Sequence, residues 1–176
     1  VEAGLRSHNR KMPEEINRVI ADQLSSLLFC PTINSVLNLE REGISKGVHV
    51  VGDIMVDAVL YYKERAIPAN ISGEYVLATV HRAENTDYKA CLTEIMQGMK
   101  SCPLPIYLPL HPRTREKLGS FDIDINSNIH PLEPVSYFRM LGLLRDCAYV
   151  VTDSGGLQKE AYLFGKNCIT LREQTE

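Results

Sequence analysis

The sequence predicts an α/β fold, a doubly wound architecture in which parallel strands are covered by helices on both faces. Two observations predict it. Short runs rich in β-branched and aromatic residues alternate with helical patterns from Glu74 onward, and turn residues bound each run. The chain of 176 residues, 44% of them hydrophobic, also suffices for a buried core. Ligands of such sheets bind at the carboxyl ends of the strands.

The region after Glu74 has the pattern of most of one domain. Strands are expected at 75–80, at 106–110, ending near His130, at 149–151 and at 168–171. Helices are expected at 87–99, after Pro112, at 135–144 and from a Ser-Gly-Gly turn to Phe164.

The region before Glu74 resembles the back end of another α/β domain. A polar loop over 6–12 precedes a helix that Pro13 opens. The elements expected next are a strand at 27–30, a helix capped by Thr32 that ends near Gly43, a strand at 49–51 and a helix from Asp53 or Asp57 to Arg65. The stretch 67–73 has linker composition, so the predicted domains are 1–66 and 74–176.

Composition argues against several classes of function. The net charge is −3 and no run of Lys or Arg exceeds two residues, so neither a nucleic-acid partner nor a membrane partner is expected. Five cysteines without a Cys-x-x-Cys pair are typical of reduced thiols in a cytoplasmic protein. The histidines lack the spacing of metal ligands, so we expect no metal, and no motif calls for a cofactor.

The segment 149–160 runs from an apolar strand through Ser154, Gly155 and Gly156 into a helix that carries Glu160. Adjacent glycines and the free amides of a helix N-terminus favour a phosphate. An ordinary strand-to-helix connection, with Ser154 as the N-cap, explains the same residues.

Other polar residues lie at expected strand ends. His81 and Arg82 follow one strand and His111-Pro112-Arg113 follows the next, where they either meet phosphate oxygens or simply end the strands. Glu2 and Glu14 could form a pair of carboxylates for proton transfer, although an acidic residue in the first turn also stabilises a helix.

Taken together, these segments resemble the non-hydrolysing UDP-N-acetylglucosamine 2-epimerases. The matching pieces lie in family order at 1–6, 12–18, 51–53, 79–85, 111–113 and 152–160. The resemblance implies two Rossmann-like domains of the glycosyltransferase B type and the interconversion of UDP-GlcNAc and UDP-ManNAc for surface polysaccharides. UDP leaves by anti-elimination, a 2-acetamidoglucal intermediate stays bound, and UDP adds back. The full-length protein is expected to be a homodimer.

The resemblance also implies residue roles. Ser154, Gly155 and Gly156 would hold the phosphates, His81 would contact the diphosphate, and Glu160 would bind the ribose. Arg82, beside His81, is expected to be a further substrate-binding residue. Glu2, Glu14 and His81 would be catalytic, with both glutamates acting as acid and base near the sugar. Glu133 and Phe138 would line the uridine pocket.

The chain neither begins with Met nor ends with a terminating element, so we expect a piece of a longer protein. The resemblance implies that a basic loop and an aspartate of the active site precede Val1, and that an arginine follows Glu176. We therefore expect the chain alone to be inactive and to bind UDP weakly.

Two alternatives use the same residues. A retaining glycosyltransferase of the same fold also grips a nucleotide sugar, and a non-catalytic sensor would bind one without turnover. Glu2 and Glu14 favour epimerisation, because glycosyl transfer needs no proton exchange at C2. Relatives accept UDP sugars with a second acetamido group or a uronic acid, so the residues leave the sugar open.

Overall fold

The computed structural model describes residues 1–10, 12–125 and 128–172. Contacts divide the described chain into two compact units, Val1–Ala58 and Val59–Arg172. In the described parts, no helix is both long enough and apolar enough to cross a membrane. The five cysteines, all in described parts, are free thiols.

The first unit contains two short parallel strands and the helices that flank them. Its elements are α1 (Pro13–Leu24), β1 (Leu28–Cys30), α2 (Ile33–Arg41) and β2 (Val48–Val50), and α3 (Ile54–Tyr62) begins in this unit. Pro13 occupies the first turn of α1, as predicted, and the Thr32 side chain accepts a hydrogen bond from Ser35 N to cap α2. Leu28 and Leu39 belong to the small core of this unit.

The second unit is built on a five-stranded sheet in which all strands are parallel, in the order β5-β4-β3-β6-β7. After a 3-10 turn (Lys63–Arg65), the elements are β3 (Val76–Thr79), α4 (Ala83–Thr86), α5 (Lys89–Lys100), β4 (Ile106–Pro109), α6 (Pro112–Ser120), β5 (Ile129–Leu132), α7 (Tyr137–Asp146), β6 (Tyr149–Thr152), α8 (Gly155–Leu163) and β7 (Asn167–Thr170).

The central strand β3 is buried on both faces. Val76 and Ala78 belong to a core with Leu92 of α5, whereas Leu77 belongs to a second core with Leu143 of α7. Alternate residues of a strand point to opposite faces, so this division places apolar layers on both sides of the sheet. The doubly wound α/β prediction is confirmed.

Several predicted elements differ from the structure in their bounds: the helix expected at 135–144 is α7, Tyr137–Asp146, and α3 ends at Tyr62 rather than Arg65. Two further differences have a clear reason. The expected helix 87–99 begins at Lys89, because Tyr88 has an extended backbone, and α4 precedes it as a separate turn. The strand expected to end near His130 instead runs over β5, with Pro131 inside it. A proline lacks the N–H group for a sheet ladder but is tolerated there, because β5 is an edge strand.

The segment 67–73, expected to be a linker, lies along α7. Ile67 N donates to Phe138 O at 2.9 Å and Ala69 N donates to Asp146 Oδ2 at 3.0 Å, while Arg139 donates to Ala69 O. Contacts therefore group this segment with the second unit. The domain boundary at 67–73 stays a prediction.

Candidate functional site

The ends of β3 and β6 lie side by side. These strands pair in parallel with Thr79 opposite Thr152, although 73 positions separate the two residues. The residues that follow each strand, His81 on one side and Asp153 on the other, therefore meet at the carboxyl edge of the sheet.

Asp153 is the buried centre of this edge, with no exposed surface on its side chain. Its carboxylate accepts hydrogen bonds from His81 N at 2.9 Å, Arg82 N at 2.8 Å and Asn85 Nδ2 at 3.1 Å. The backbone carbonyl of Asp153 also accepts a hydrogen bond, from Arg82 Nε at 3.1 Å. A buried carboxylate needs such donors to offset its lost hydration. Asp153 thereby fastens the loop after β3 to the turn after β6.

Sequence reasoning gave Asp153 and Asn85 no role. Both lie within the matching motifs. The position of Asp153 between an apolar strand and a glycine turn was the signal that could have indicated its role. Asn85 Nδ2 also donates to Leu171 O at 2.9 Å, which ties the strand end of β7 to the same cluster.

The His81 ring lies on the solvent-exposed side of the cluster around Asp153. Its Nδ1 lies 3.2 Å from Asp153 Oδ1, and the side chain is 38% exposed. The ring of His111 is 5.7 Å away between centroids, so the strand ends of β3 and β4 also meet here. Arg113 instead holds Asp87, with Nη2–Oδ2 at 2.6 Å.

The Ser-Gly-Gly turn opens α8 as predicted. The Ser154 side chain accepts from Leu157 N at 3.3 Å, so Ser154 is the N-cap. An α-helix provides no acceptor for its first amides, those of Gly155 and Gly156. The Arg172 side chain lies beside this turn, because a Cβ on Gly155 would be 3.6 Å from Arg172 Nη1. The helix N-terminus and this cation both favour an anion.

Glu160 lies further along α8 and is 7% exposed. Burial raises the pKa of its carboxyl, and a hydrogen bond with the Tyr137 hydroxyl partly opposes that shift. Burial and the nearby Glu160 also raise the pKa of Tyr137. A buried carboxylate with one protein partner has acceptor capacity left for hydroxyl groups.

The two residues expected at the uridine pocket lie in different surroundings. Glu133 is exposed and pairs with Arg115 at 2.6 Å, from Nη2 to Oε1. Phe138 packs edge-on against Tyr62, with 5.5 Å between ring centroids. No contact brings Glu133 to the Asp153 cluster in the described residues, and both pocket roles stay predictions.

Glu2 and Glu14 belong to the first unit, and both are exposed. Glu2 has a left-handed backbone, with φ of 57°. A non-glycine residue in a sparsely populated conformation costs about 1–3 kcal/mol, and such strained residues cluster at functional sites. Whether the two carboxylates converge stays a prediction.

The backbone just after Glu2 is tightly held. Gly4 N donates to Asp22 Oδ2 at 2.9 Å, and Arg6 Nη2 lies 2.7 Å from the same carboxylate oxygen. Gly4 has a φ of 76°, and a Cβ there would lie 2.2 Å from Ser35 O, so only glycine fits. These contacts fix the backbone of the turn that follows Glu2, which is not the strand end expected from the sequence.

Glu15, the neighbour of Glu14, has a structural role. It is 2% exposed, and its carboxylate accepts from Ser7 N at 2.9 Å, Ser7 Oγ at 3.0 Å and His8 N at 3.0 Å. Burial acts to raise the pKa of Glu15, but these hydrogen bonds outweigh it, and the pKa is lowered. Glu15 therefore anchors the polar loop to α1.

Comparison with known proteins supports one family along the whole chain. The model of the family described as UDP-N-acetylglucosamine 2-epimerase matches residues 1–176. A UDP-2,3-diacetamido-2,3-dideoxy-D-glucuronate 2-epimerase of Pseudomonas aeruginosa is 45% identical over 188 residues, which cover 100% of this chain and 52% of that protein. A UDP-N-acetylglucosamine 2-epimerase of Methanocaldococcus jannaschii is 42% identical over 195 residues, with 100% and 53% covered. The chain spans about half the length of the curated relatives it matches.

Similar solved structures point to the same family. A crystal structure of UDP-GlcNAc 2-epimerase from M. jannaschii in complex with UDP-GlcNAc and UDP matches with a TM-score of 0.86 and 40% identity, over 99% of this chain and 53% of that one. The enzyme from Neisseria meningitidis, bound to UDP-GlcNAc, matches with a TM-score of 0.79 and 30% identity, over 99% and 53%. The shared fold confirms the predicted class of Rossmann-like parallel sheets, of which this chain carries a part. The chain belongs to the UDP-N-acetylglucosamine 2-epimerase family.

Proposed function

We propose that the protein containing this chain interconverts UDP-GlcNAc and UDP-ManNAc by anti-elimination of UDP, formation of a bound 2-acetamidoglucal and re-addition of UDP. The observation that carries the proposal is the meeting of His81, Arg82 and the N-terminus of α8 around Asp153, within a chain that belongs to an epimerase family. Epimerisation is favoured over glycosyl transfer by that membership. The proposed product serves surface polysaccharide synthesis in the cytoplasm.

The second unit would bind UDP. The amides of Gly155 and Gly156 and the His81 ring would hold the diphosphate, with Arg82 as a further binding residue. Departure of a diphosphate from C1 develops negative charge, which preorganised N–H donors stabilise. Glu160 would accept hydrogen bonds from the ribose hydroxyls, and its burial supports this role because a water-excluded carboxylate binds hydroxyls more strongly.

Proton transfer at C2 would fall to Glu2 and Glu14. The C2 proton has no neighbouring carbonyl to acidify it, so carboxylates must act together with departure of UDP. The full-length protein would be a homodimer with the glycosyltransferase B type fold. The chain alone would bind UDP weakly without turnover.

A second substrate has support of its own. The P. aeruginosa relative, at 45% identity, is a 2-epimerase of a UDP sugar that carries two acetamido groups and a uronic acid. Both substrates present the same diphosphate and the same C2 chemistry. A UDP-2,3-diacetamido uronate is therefore the second candidate substrate.

Solvent deuterium tests the reaction. A full-length protein that contains this chain, incubated in deuterated water with UDP-GlcNAc or with the diacetamido uronate, should place deuterium at C2 of its own substrate. Mass spectrometry and proton NMR measure the label. Turnover of either sugar without deuterium at C2 would contradict the proposed mechanism.

A further inference from the structure

The buried Asp153 contacts a residue of the proposed diphosphate site, yet the proposed roles leave it unused. We propose that Asp153 is a positioning residue: it keeps a proton on Nδ1 of His81, so that Nε2 is the nitrogen that takes up a proton when the diphosphate of a nucleotide sugar binds. This inference rests on the proposed function, because it deepens the role of His81 in that site.

The contacts of Asp153 determine which ring nitrogen carries the proton. The N–H groups of His81, Arg82 and Asn85 all donate to its carboxylate, which therefore acts as an acceptor. Nδ1 of His81 lies 3.2 Å from Oδ1 of the same carboxylate. An unprotonated Nδ1 would set a lone pair against a carboxylate oxygen, so the proton belongs on Nδ1.

The second ring nitrogen is then left for the ligand. A neutral Nε2 carries a lone pair that repels a phosphate oxygen, whereas a protonated Nε2 donates a charge-assisted hydrogen bond. Binding of the diphosphate would therefore draw one proton from the solvent onto Nε2 and convert the ring to an imidazolium. Asp153 stabilises that cation from the opposite side of the ring.

Other charges near His81 act in both directions. The Arg82 guanidinium, whose Nε donates to the Asp153 carbonyl, opposes a positive charge on His81, and the His111 ring lies 5.7 Å from the His81 ring. Glu84 pairs with Arg172, with 3.8 Å between Oε1 and Nε. Asp153 favours protonation and is in direct contact with the ring.

Two measurements on a full-length protein that contains this chain test the inference. Long-range ¹H–¹⁵N spectra of the histidine rings report the tautomer of free His81, which His81→Asn assigns. Calorimetry with UDP-GlcNAc in buffers of different ionisation enthalpy reports proton uptake. We expect the Nδ1–H tautomer in free His81 and a net proton uptake on binding that is lost in His81→Asn.

Two variants complete the test. Asp153→Asn places an NH2 group among N–H donors, so the tautomer preference should disappear and the affinity for UDP-GlcNAc should fall by about tenfold or more. The matched control Asp122→Asn should change neither the His81 tautomer nor the affinity for UDP-GlcNAc. Asp122 is exposed, and its φ of 53° suits asparagine.

Free His81 with its proton on Nε2, or proton uptake that persists in His81→Asn, would overturn the inference. The wild-type tautomer decides it even if Asp153→Asn does not fold. Failure of the wild-type full-length protein to bind UDP-GlcNAc at millimolar concentration would instead contradict the proposed function, and the tautomer would still decide the role of Asp153.

Discussion

Thr79 and Thr152 face each other across β3 and β6, with 2.6 Å between their hydroxyl oxygens. Thr152 Oγ1 also accepts from Ser154 N at 2.9 Å. The same hydroxyl thus joins the two strand ends and orients the first residue of the Ser-Gly-Gly turn. The pair connects the sheet register directly to the geometry of the candidate site.

Thr152→Val should destabilise the second unit by about 1–3 kcal/mol, because the half-buried Ser154 N–H and the Thr79 hydroxyl lose their partner. Urea denaturation measures the change in free energy of unfolding. Thr79→Val/Thr152→Val should cost less than the sum of the single changes, since the first loss already breaks the shared hydrogen bond. Fully additive losses would contradict this coupling.

Two helical glycines should respond oppositely to alanine. A Cβ on Gly142 of α7 would lie 1.7 Å from Ile67 O, so Gly142→Ala must displace the segment 67–73 and should cost about 2–4 kcal/mol. A Cβ on Gly98 of α5 meets nothing within 4 Å, so Gly98→Ala should stabilise by up to about 1 kcal/mol through helix propensity. Thermal denaturation compares them, and equal effects would refute the close contact.

Glu160→Gln should leave the chain at least as stable as the wild type at neutral pH. Burial raises the folded pKa of Glu160, so its contribution to stability is full below the unfolded value of about 4.3 and is lost as pH rises through the folded pKa. The advantage of the glutamine should therefore grow over that window and then stay constant. Urea titrations across pH measure it.

The same variant should weaken UDP binding, because glutamine loses the negative charge expected to hold the ribose. Tyr137→Phe is the companion variant, because it removes the hydroxyl that hydrogen-bonds to Glu160 and leaves the carboxylate in place. A Glu160→Gln chain that binds UDP as tightly as the wild type would remove Glu160 from the proposed site.

Glu15→Gln should show the opposite pH dependence. The folded pKa of Glu15 is lowered, so its stabilisation is present above the unfolded value of about 4.3 and is lost as pH falls through the folded pKa. The variant should be destabilised at neutral pH and approach the wild type in acid. The exposed neighbour gives the control, Glu14→Gln, which should change stability little. A pH-independent loss in Glu15→Gln would contradict the ionic role.

Much of the fold was predictable because each signal is local. Pro13 at the start of α1, Thr32 as the cap of α2 and the apolar runs of β3, β4 and β6 all act within a few residues. The end of β5 beyond Pro131 was not predictable from local sequence. Only the position of a strand in the sheet decides whether a proline is tolerated within it.

The candidate site was predictable in part. His81 and the Ser-Gly-Gly turn were found because they follow apolar strands, where parallel sheets bind ligands. Asp153 and Tyr137 were missed, because their roles depend on contacts with His81 and Glu160 that lie far away in sequence.

By itself, the sequence determined the α/β class, the order of the elements, the family resemblance and the turn that opens α8. Only the tertiary structure decided that Asp153 is buried beneath His81 and that Glu15, rather than Glu14, anchors the polar loop. The physical reason is that a carboxylate acquires its role from the donors that surround it once water is excluded. Those donors are assembled by strand register and helix packing, which no local pattern encodes.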